Sequence, residues 1–251
     1  MFSVLPITGL PEIVAGDNLG ALLTARLAEA EPGLQSGDIL VVTQKIVSKA
    51  EGRYVDLADM VPSPEAKALA SEVNKDPALV ELVLRESSAV VRKAPKILIT
   101  RHRLGHVMAN AGIDASNIGS GNGGKVLLLP LDPDASAARF ADAAEAHFGF
   151  RPGVVISDSF GRPWRVGTVN VAIGVAAMPS IIDQRGQADR DGRIMQMTMI
   201  AVGDAVAAAA GVAMGEGDEG IPAVIVRGLR LAGEHQTSRA IVRPVDEDLF
   251  R

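Results

Sequence analysis

Three short, unbroken apolar runs constrain this chain most: Ile39-Leu40-Val41-Val42, Val154-Val155-Ile156 and Ala223-Val224-Ile225-Val226. Polar or turn-forming residues fence them, Asp38 and Thr43 around the first, Gly153 and Ser157 around the second, Pro222 before the third. Runs of this length read as strands buried in a core, since a strand with one wet face alternates apolar with polar residues. Aromatic residues make up only 3% of the chain, so that core must rest on Val, Ile, Leu and Ala.

Further strands are expected near residues 4–7, 89–92, 97–100 and 126–129, and over 169–175, where apolar residues alternate with small or polar ones. Lys93-Ala94-Pro95-Lys96 supplies a turn. Helical patterns cover residues 19–29, with Asp17 and Asn18 as caps, 63–85, 135–148 and the Ala-rich 194–214. That last segment contains Gln196 and Asp204 and reads as a buried helix, not a membrane span. Strands and helices interleave without the strict rhythm of a doubly wound sheet. The expected fold is α+β with mixed β-sheets, one unit over residues 1–251, built as one domain or as two intimately packed subdomains. The stretch Gly119-Ser120-Gly121-Asn122-Gly123-Gly124 lacks the form of a phosphate loop and reads as a hinge.

The net charge of −5 gives no general attraction to nucleic acid or to an anionic membrane. The absence of cysteine excludes disulfides, thiolate metal sites and a cysteine nucleophile. The N-terminus lacks the basic and apolar regions of a signal peptide, so the expected compartment is the cytoplasm.

Two polar clusters suggest chemistry: Gly112-Ile113-Asp114-Ala115-Ser116-Asn117, and Ser157-Asp158-Ser159-Phe160-Gly161-Arg162-Pro163-Trp164-Arg165. A carboxylate with a neighbouring hydroxyl, set where a buried strand runs out, suits Mg²⁺ or Mn²⁺, which take oxygen ligands and bridge to phosphates. Arg162 and Arg165 suit phosphate or carboxylate groups. Lys45 and Lys49 follow a strand four residues apart; continued as a strand, the chain would put both on one face, either toward an anion or toward solvent. Met214-Gly215-Glu216-Gly217-Asp218-Glu219-Gly220-Ile221 combines backbone freedom with acids, as a metal-binding loop or a solvated turn. The charged stretch from Asp183 through Arg185, Asp189 and Asp191 to Arg193 reads foremost as a solvated loop. His102, His106, His147 and His235 show no metal-ligand spacing, and no GxSxG elbow is present. Oxygen ligands, scattered cations and no covalent nucleophile point to phosphoryl-type chemistry run by positioning and electrostatics.

The ordered set of motifs resembles the coenzyme F420-0:L-glutamate ligase family, the CofE-like gamma-glutamyl ligases. It comprises Gly9-Leu10-Pro11-Glu12-Ile13, Val47-Ser48-Lys49-Ala50-Glu51-Gly52-Arg53 and the two acidic clusters. Met214-Gly215-Glu216-Gly217, Ile221-Pro222-Ala223-Val224-Ile225-Val226-Arg227-Gly228, Arg243-Pro244 and Asp248-Leu249-Phe250-Arg251 complete it. The resemblance implies GTP-dependent addition of L-glutamate to coenzyme F420-0 through an acyl phosphate, releasing GDP and phosphate, with further glutamates possible. It implies an unusual α+β subunit that forms an intertwined homodimer, two divalent ions (Mg²⁺ or Mn²⁺) and in some members a response to K⁺. By motif, Asp114, Asp158 and Ser159 are the expected metal ligands, with Glu216 for a second ion. Leu10, Pro11, Glu12, Ile13, Gln44, Lys45, Lys49 and Asn117 are expected to contact GTP. So are Met214, Gly215, Glu216, Gly217, Asp218, Glu219, Gly220 and Ile221. Asp114 and Asp158 would act in catalysis, with Arg162 and Arg165 orienting substrate carboxylates. Ser159 stands where many members have Thr and Glu216 where many have Gln, each keeping an oxygen ligand. The fused C-terminal flavin domain of many actinobacterial members is absent, which implies a stand-alone ligase. A paralogue with another acceptor, and a non-catalytic nucleotide- or cofactor-binding protein, are the competing readings.

Overall fold

The three apolar runs become the three central strands of a five-stranded sheet in the computed structural model. Residues 1–118 and 123–249 are described. Gly119, Ser120, Gly121 and Asn122 of the expected hinge, Phe250 and Arg251, and the side chain of Arg162 lie outside the described residues.

The chain opens with β1 (Ser3–Ile7), α1 (Leu19–Glu29), β2 (Ile39–Thr43) and α2 (Gln44–Ala50). An excursion follows: β3 (Tyr54–Asp56), α3 (Pro64–Val73), α4 (Pro77–Arg85), β4 (Ser87–Ala94), β5 (Ile97–His102), β6 (Val107–Ala109) and β7 (Lys125–Leu127). Helix α5 (Pro133–Phe148) leads back to β8 (Gly153–Arg162) and β9 (Arg165–Ala176). The short strands β10 (Ile182–Asp183) and β11 (Met199–Ile200), then α6 (Val202–Met214) and β12 (Ala223–Arg227), complete the order.

The main sheet runs β1-β12-β2-β8-β9. Its only parallel pair is β2 with β8; the other neighbours are antiparallel. Successive strand residues face opposite sides, and here both sides are covered. Leu40, Val42, Ile156 and Ile225 pack with Leu23 and Leu27 of α1 and Phe140 and Ala144 of α5. Ile39, Val41, Val155 and Val224 pack with Val206, Ala207 and Ala210 of α6. Two covered faces leave no position for a polar residue, which is why the runs are unbroken. The excursion builds a ribbon from β3 and β7 and a three-stranded sheet β4-β5-β6. Leu69, Val73, Val80, Val83 and Leu98 form its own small core. The mixed α+β architecture is as the sequence suggests.

Four local expectations change. Residues 63–85 form two helices, because Asn74 turns left-handed (φ 50°) and Asp76 caps a new start on Ala78 N–H. The segment after β2 is helix α2, so Lys45 and Lys49 share a face through helical, not strand, periodicity. Strand β8 does not run out at Ser157 but continues to Arg162, held by β9, which places Asp158 and Ser159 within the strand. The helix expected from residue 194 begins at Val202; Met199–Ile200 pair instead with Ile182–Asp183 in an exposed arm. Among the described residues no helix is long and apolar enough to cross a membrane.

Candidate active site

Parallel pairing of β2 with β8 ends at Thr43 opposite Ser157. The next residues, Gln44 and Asp158, stand at the carboxyl end of the pair, the edge where open α/β sheets place ligands. A cavity of about 840 Å³ opens there. Leu10, Pro11, Glu12 and Ile13 line it, as do Gln44, Lys45, Lys49, Asp114, Asn117, Asp158, Ser159 and the whole loop from Met214 to Ile221. Every residue expected to contact nucleotide or metal therefore meets in one place. The excursion contributes Asp114 and Asn117; the body of the protein contributes the rest.

The acidic pair carries opposite electrostatics. Asp114 Oδ1 accepts from Ser116 N–H (3.0 Å) and Ser116 Oγ (2.9 Å), while Lys45 Nζ lies 2.6 Å from Oδ2. Burial alone would raise the Asp114 carboxyl, but Lys45 and Ser116 hold it below its ordinary value. Burial pushes Asp158 up to about 7, and the Asp114 carboxylate adds to that rise. Hydrogen bonds from Ser159 and Gln44 and the Lys45 ammonium act against it without cancelling it. Ser48 Oγ donates to Gln44 Oε1 at 2.9 Å, which leaves the Gln44 amide as donor toward Asp158.

Across the cavity, Lys49 Nζ pairs with Glu12 Oε1 at 2.6 Å. Asn117 Nδ2 donates to Gly217 O at 3.1 Å, joining the excursion to the loop after α6. Gly217 N–H donates to Glu219 Oε2 at 2.8 Å. Gly215 has φ +71° and ψ −179°, a conformation that side-chain-bearing residues rarely adopt, so the turn favours glycine.

The donor set fits a hard cation. Asp114, Asp158 and Ser159 line the cavity with oxygen atoms alone, the ligand type such a cation takes, although Lys45 already pairs with Asp114. Glu216 borders the same cavity, but its Oε1 accepts from Asn170 Nδ2 at 2.9 Å. Among the described residues no three acids or histidines stand close enough to form a ready-made cluster. Asn170 is the residue that sequence reading missed, and an amide inside Val169-Asn170-Val171 was its signal.

Arg165 stands apart, exposed on the wall of a second cavity of about 1090 Å³ with Met108, Phe160 and Trp164. The backbone of Arg162 pairs with Arg165 at the β8–β9 turn. His102 is fully buried, with Nδ1 accepting from Leu104 N–H at 3.0 Å. The stretch 183–193 is solvated, and Arg185 pairs with Asp183 at 2.6 Å.

Residues 8–228 match the family described as F420-0:Gamma-glutamyl ligase. The coenzyme F420:L-glutamate ligase of Methanothermobacter thermautotrophicus is 42% identical over 254 residues, covering 99% of this chain and 98% of its own. The Methanopyrus kandleri protein of that name is 44% identical over 240 residues, covering 94% of this chain and 92% of its own. That of Archaeoglobus fulgidus is 42% identical over 248 residues, covering 99% and 96%. Matches of this length and identity, with the motifs in one cavity, make this chain a member of the F420-0:gamma-glutamyl ligase family.

Proposed function

We propose that the chain joins L-glutamate to coenzyme F420-0 in an amide bond, driven by GTP. The observation that carries this reading is the cavity at the carboxyl end of β2 and β8. In a chain of this family it gathers two aspartates, two lysines and a glycine-rich loop.

A free carboxylate is a poor acyl donor. In the proposed reaction an acceptor carboxylate oxygen attacks the γ-phosphorus of GTP, and the bond to the bridging oxygen breaks, releasing GDP. The glutamate amine then attacks the acyl carbon, loses a proton and expels phosphate. Lys45, Lys49, Asn117 and the loop from Met214 to Ile221 would hold the nucleotide phosphates and fix them in line. Asp114, Asp158 and Ser159 would hold a divalent cation, with Glu216 beside a second. Mg²⁺ or Mn²⁺ bound there would supply neutralisation of phosphate charge. The exposed arm and hairpin tip, with Met197 86% and Trp164 88% accessible, support a homodimer that covers them.

Mass spectrometry of the purified protein with F420-0, L-glutamate, GTP and Mn²⁺ tests the reading. The expected product is heavier by one glutamyl residue or more and requires both GTP and metal. GTP hydrolysis without product would move the assignment to another acceptor, and the absence of both product and hydrolysis would overturn the ligase reading.

A further inference from the structure

Lys45 bridges α2 and the excursion through contacts to Asp114 and Ser116. Its ammonium lies 2.6 Å from Asp114 Oδ2 and donates to Ser116 O at 2.9 Å. It reaches across the cavity from α2 to the excursion. Ser116 already takes the other carboxylate oxygen. Both Asp114 oxygens are thus engaged before any ligand enters. A divalent cation coordinated by Oδ2 would bring its two charges beside the ammonium, and like charges at that spacing repel strongly. Nucleotide phosphates in the cavity would give the ammonium another anion and remove the conflict.

We propose that Lys45 is a tethered counter-ion competing with the divalent cation for Asp114, so that the cation binds weakly until nucleotide draws the ammonium away. This rests on the reading that Asp114 and Asp158 hold a divalent cation. It makes metal loading conditional on nucleotide, through a residue that touches both. An ion pair serving only to pin α2 to the excursion would predict no such coupling.

The test is Mn²⁺ binding to nucleotide-free protein, read from the electron paramagnetic resonance signal of free Mn²⁺. Lys45→Met and Lys45→Gln should bind Mn²⁺ about tenfold more tightly than wild type, the exchange expected for a part-buried ion pair. A saturating, non-hydrolysable GTP analogue should raise wild-type affinity by more than it raises that of either variant. Equal or weaker Mn²⁺ binding by both variants, with melting curves showing them folded, overturns the proposal. Asp158→Asn separates the two failures. If it loses Mn²⁺ while the Lys45 variants match wild type, competition alone is wrong. If Asp158→Asn binds Mn²⁺ as wild type does, the carboxylate site is wrong and the proposal falls with it.

Discussion

Glu86→Gln probes the polar hub at the root of the excursion. Glu86 Oε2 is 3.0 Å from Arg53 Nη2, 3.3 Å from Arg103 Nε and 3.4 Å from His102 Nε2. Its side chain is 14% accessible, so solvent screens these contacts little. His102 first, then Arg53 and Arg103, hold the carboxyl down from 4.5 to about 2 against the opposing pull of burial. At about 1.4 kcal/mol per pKa unit that drop corresponds to about 3 kcal/mol. His102 Nε2 makes no well-formed hydrogen bond, so its share is discounted and about 2 kcal/mol is expected. A folded pKa below the unfolded one means the stabilisation is complete above about pH 4.5 and is lost as pH falls through about 2. Thermal melting of wild type and Glu86→Gln, followed by circular dichroism from pH 7 to pH 2.5, measures it. The variant should melt about 4–8 °C lower at pH 7, with the gap closing as the pH falls. A gap under about 1 °C at pH 7, or one constant with pH, would refute the electrostatic account of the hub.

Gly174→Ala should destabilise by about 2 kcal/mol or more, since a Cβ there would stand 2.4 Å from Pro133 O at the start of α5. Urea unfolding would show it as a lower midpoint with an unchanged slope. Lys49→Met should raise KM for GTP about tenfold with a much smaller change in kcat, because a phosphate contact made throughout the reaction contributes uniform binding. Initial rates across GTP concentrations check this, and an unchanged KM would place Lys49 outside the nucleotide site.

The core was legible because burial on both faces leaves one pattern. Ile39 to Val42, Val154 to Ile156 and Ala223 to Val226 admit no polar residue, and all three are central strands. Helix α1 was legible to the residue, since Asn18 caps it by accepting from Ala21 N–H. Less visible was what depends on partners distant in sequence. Nothing within Ser157 to Arg162 says that β9 holds it extended, so it resembled a turn. The apolar content of residues 194–201 suggested helix, but pairing with residues 182–183 decided the matter. Motif residues near 45, 114, 158 and 216 could be named singly; that they border one cavity is a property of the fold. Asn170 and Glu86 carried no motif, and their roles come from neighbours 46 and 33 residues away, Glu216 and Arg53.

The excursion leaves and rejoins the body at one seam. Leu128 N–H donates to Arg53 O at 3.0 Å and Arg53 Nε donates to Leu129 O at 2.9 Å, so its first and last residues are stitched together. Elsewhere it leans on the body through Met108, the edge-to-face rings of His106 and Phe160, the Arg101–Asp248 ion pair at 3.1 Å and the bonds that Arg103 donates to the carbonyls of Pro130 and Leu131. Its outline is that of a jaw on a short pivot, with Asp114 and Asn117 on one side of the cavity and Asp158 and Gly217 on the other. A small swing about that pivot would change the gap between the two aspartates without breaking a ladder of the five-stranded sheet, to which the excursion contributes no strand. Admission of a large substrate by that route would cost the Lys45–Asp114, Asn117–Gly217 and Arg101–Asp248 contacts and would draw on the packing around Met108.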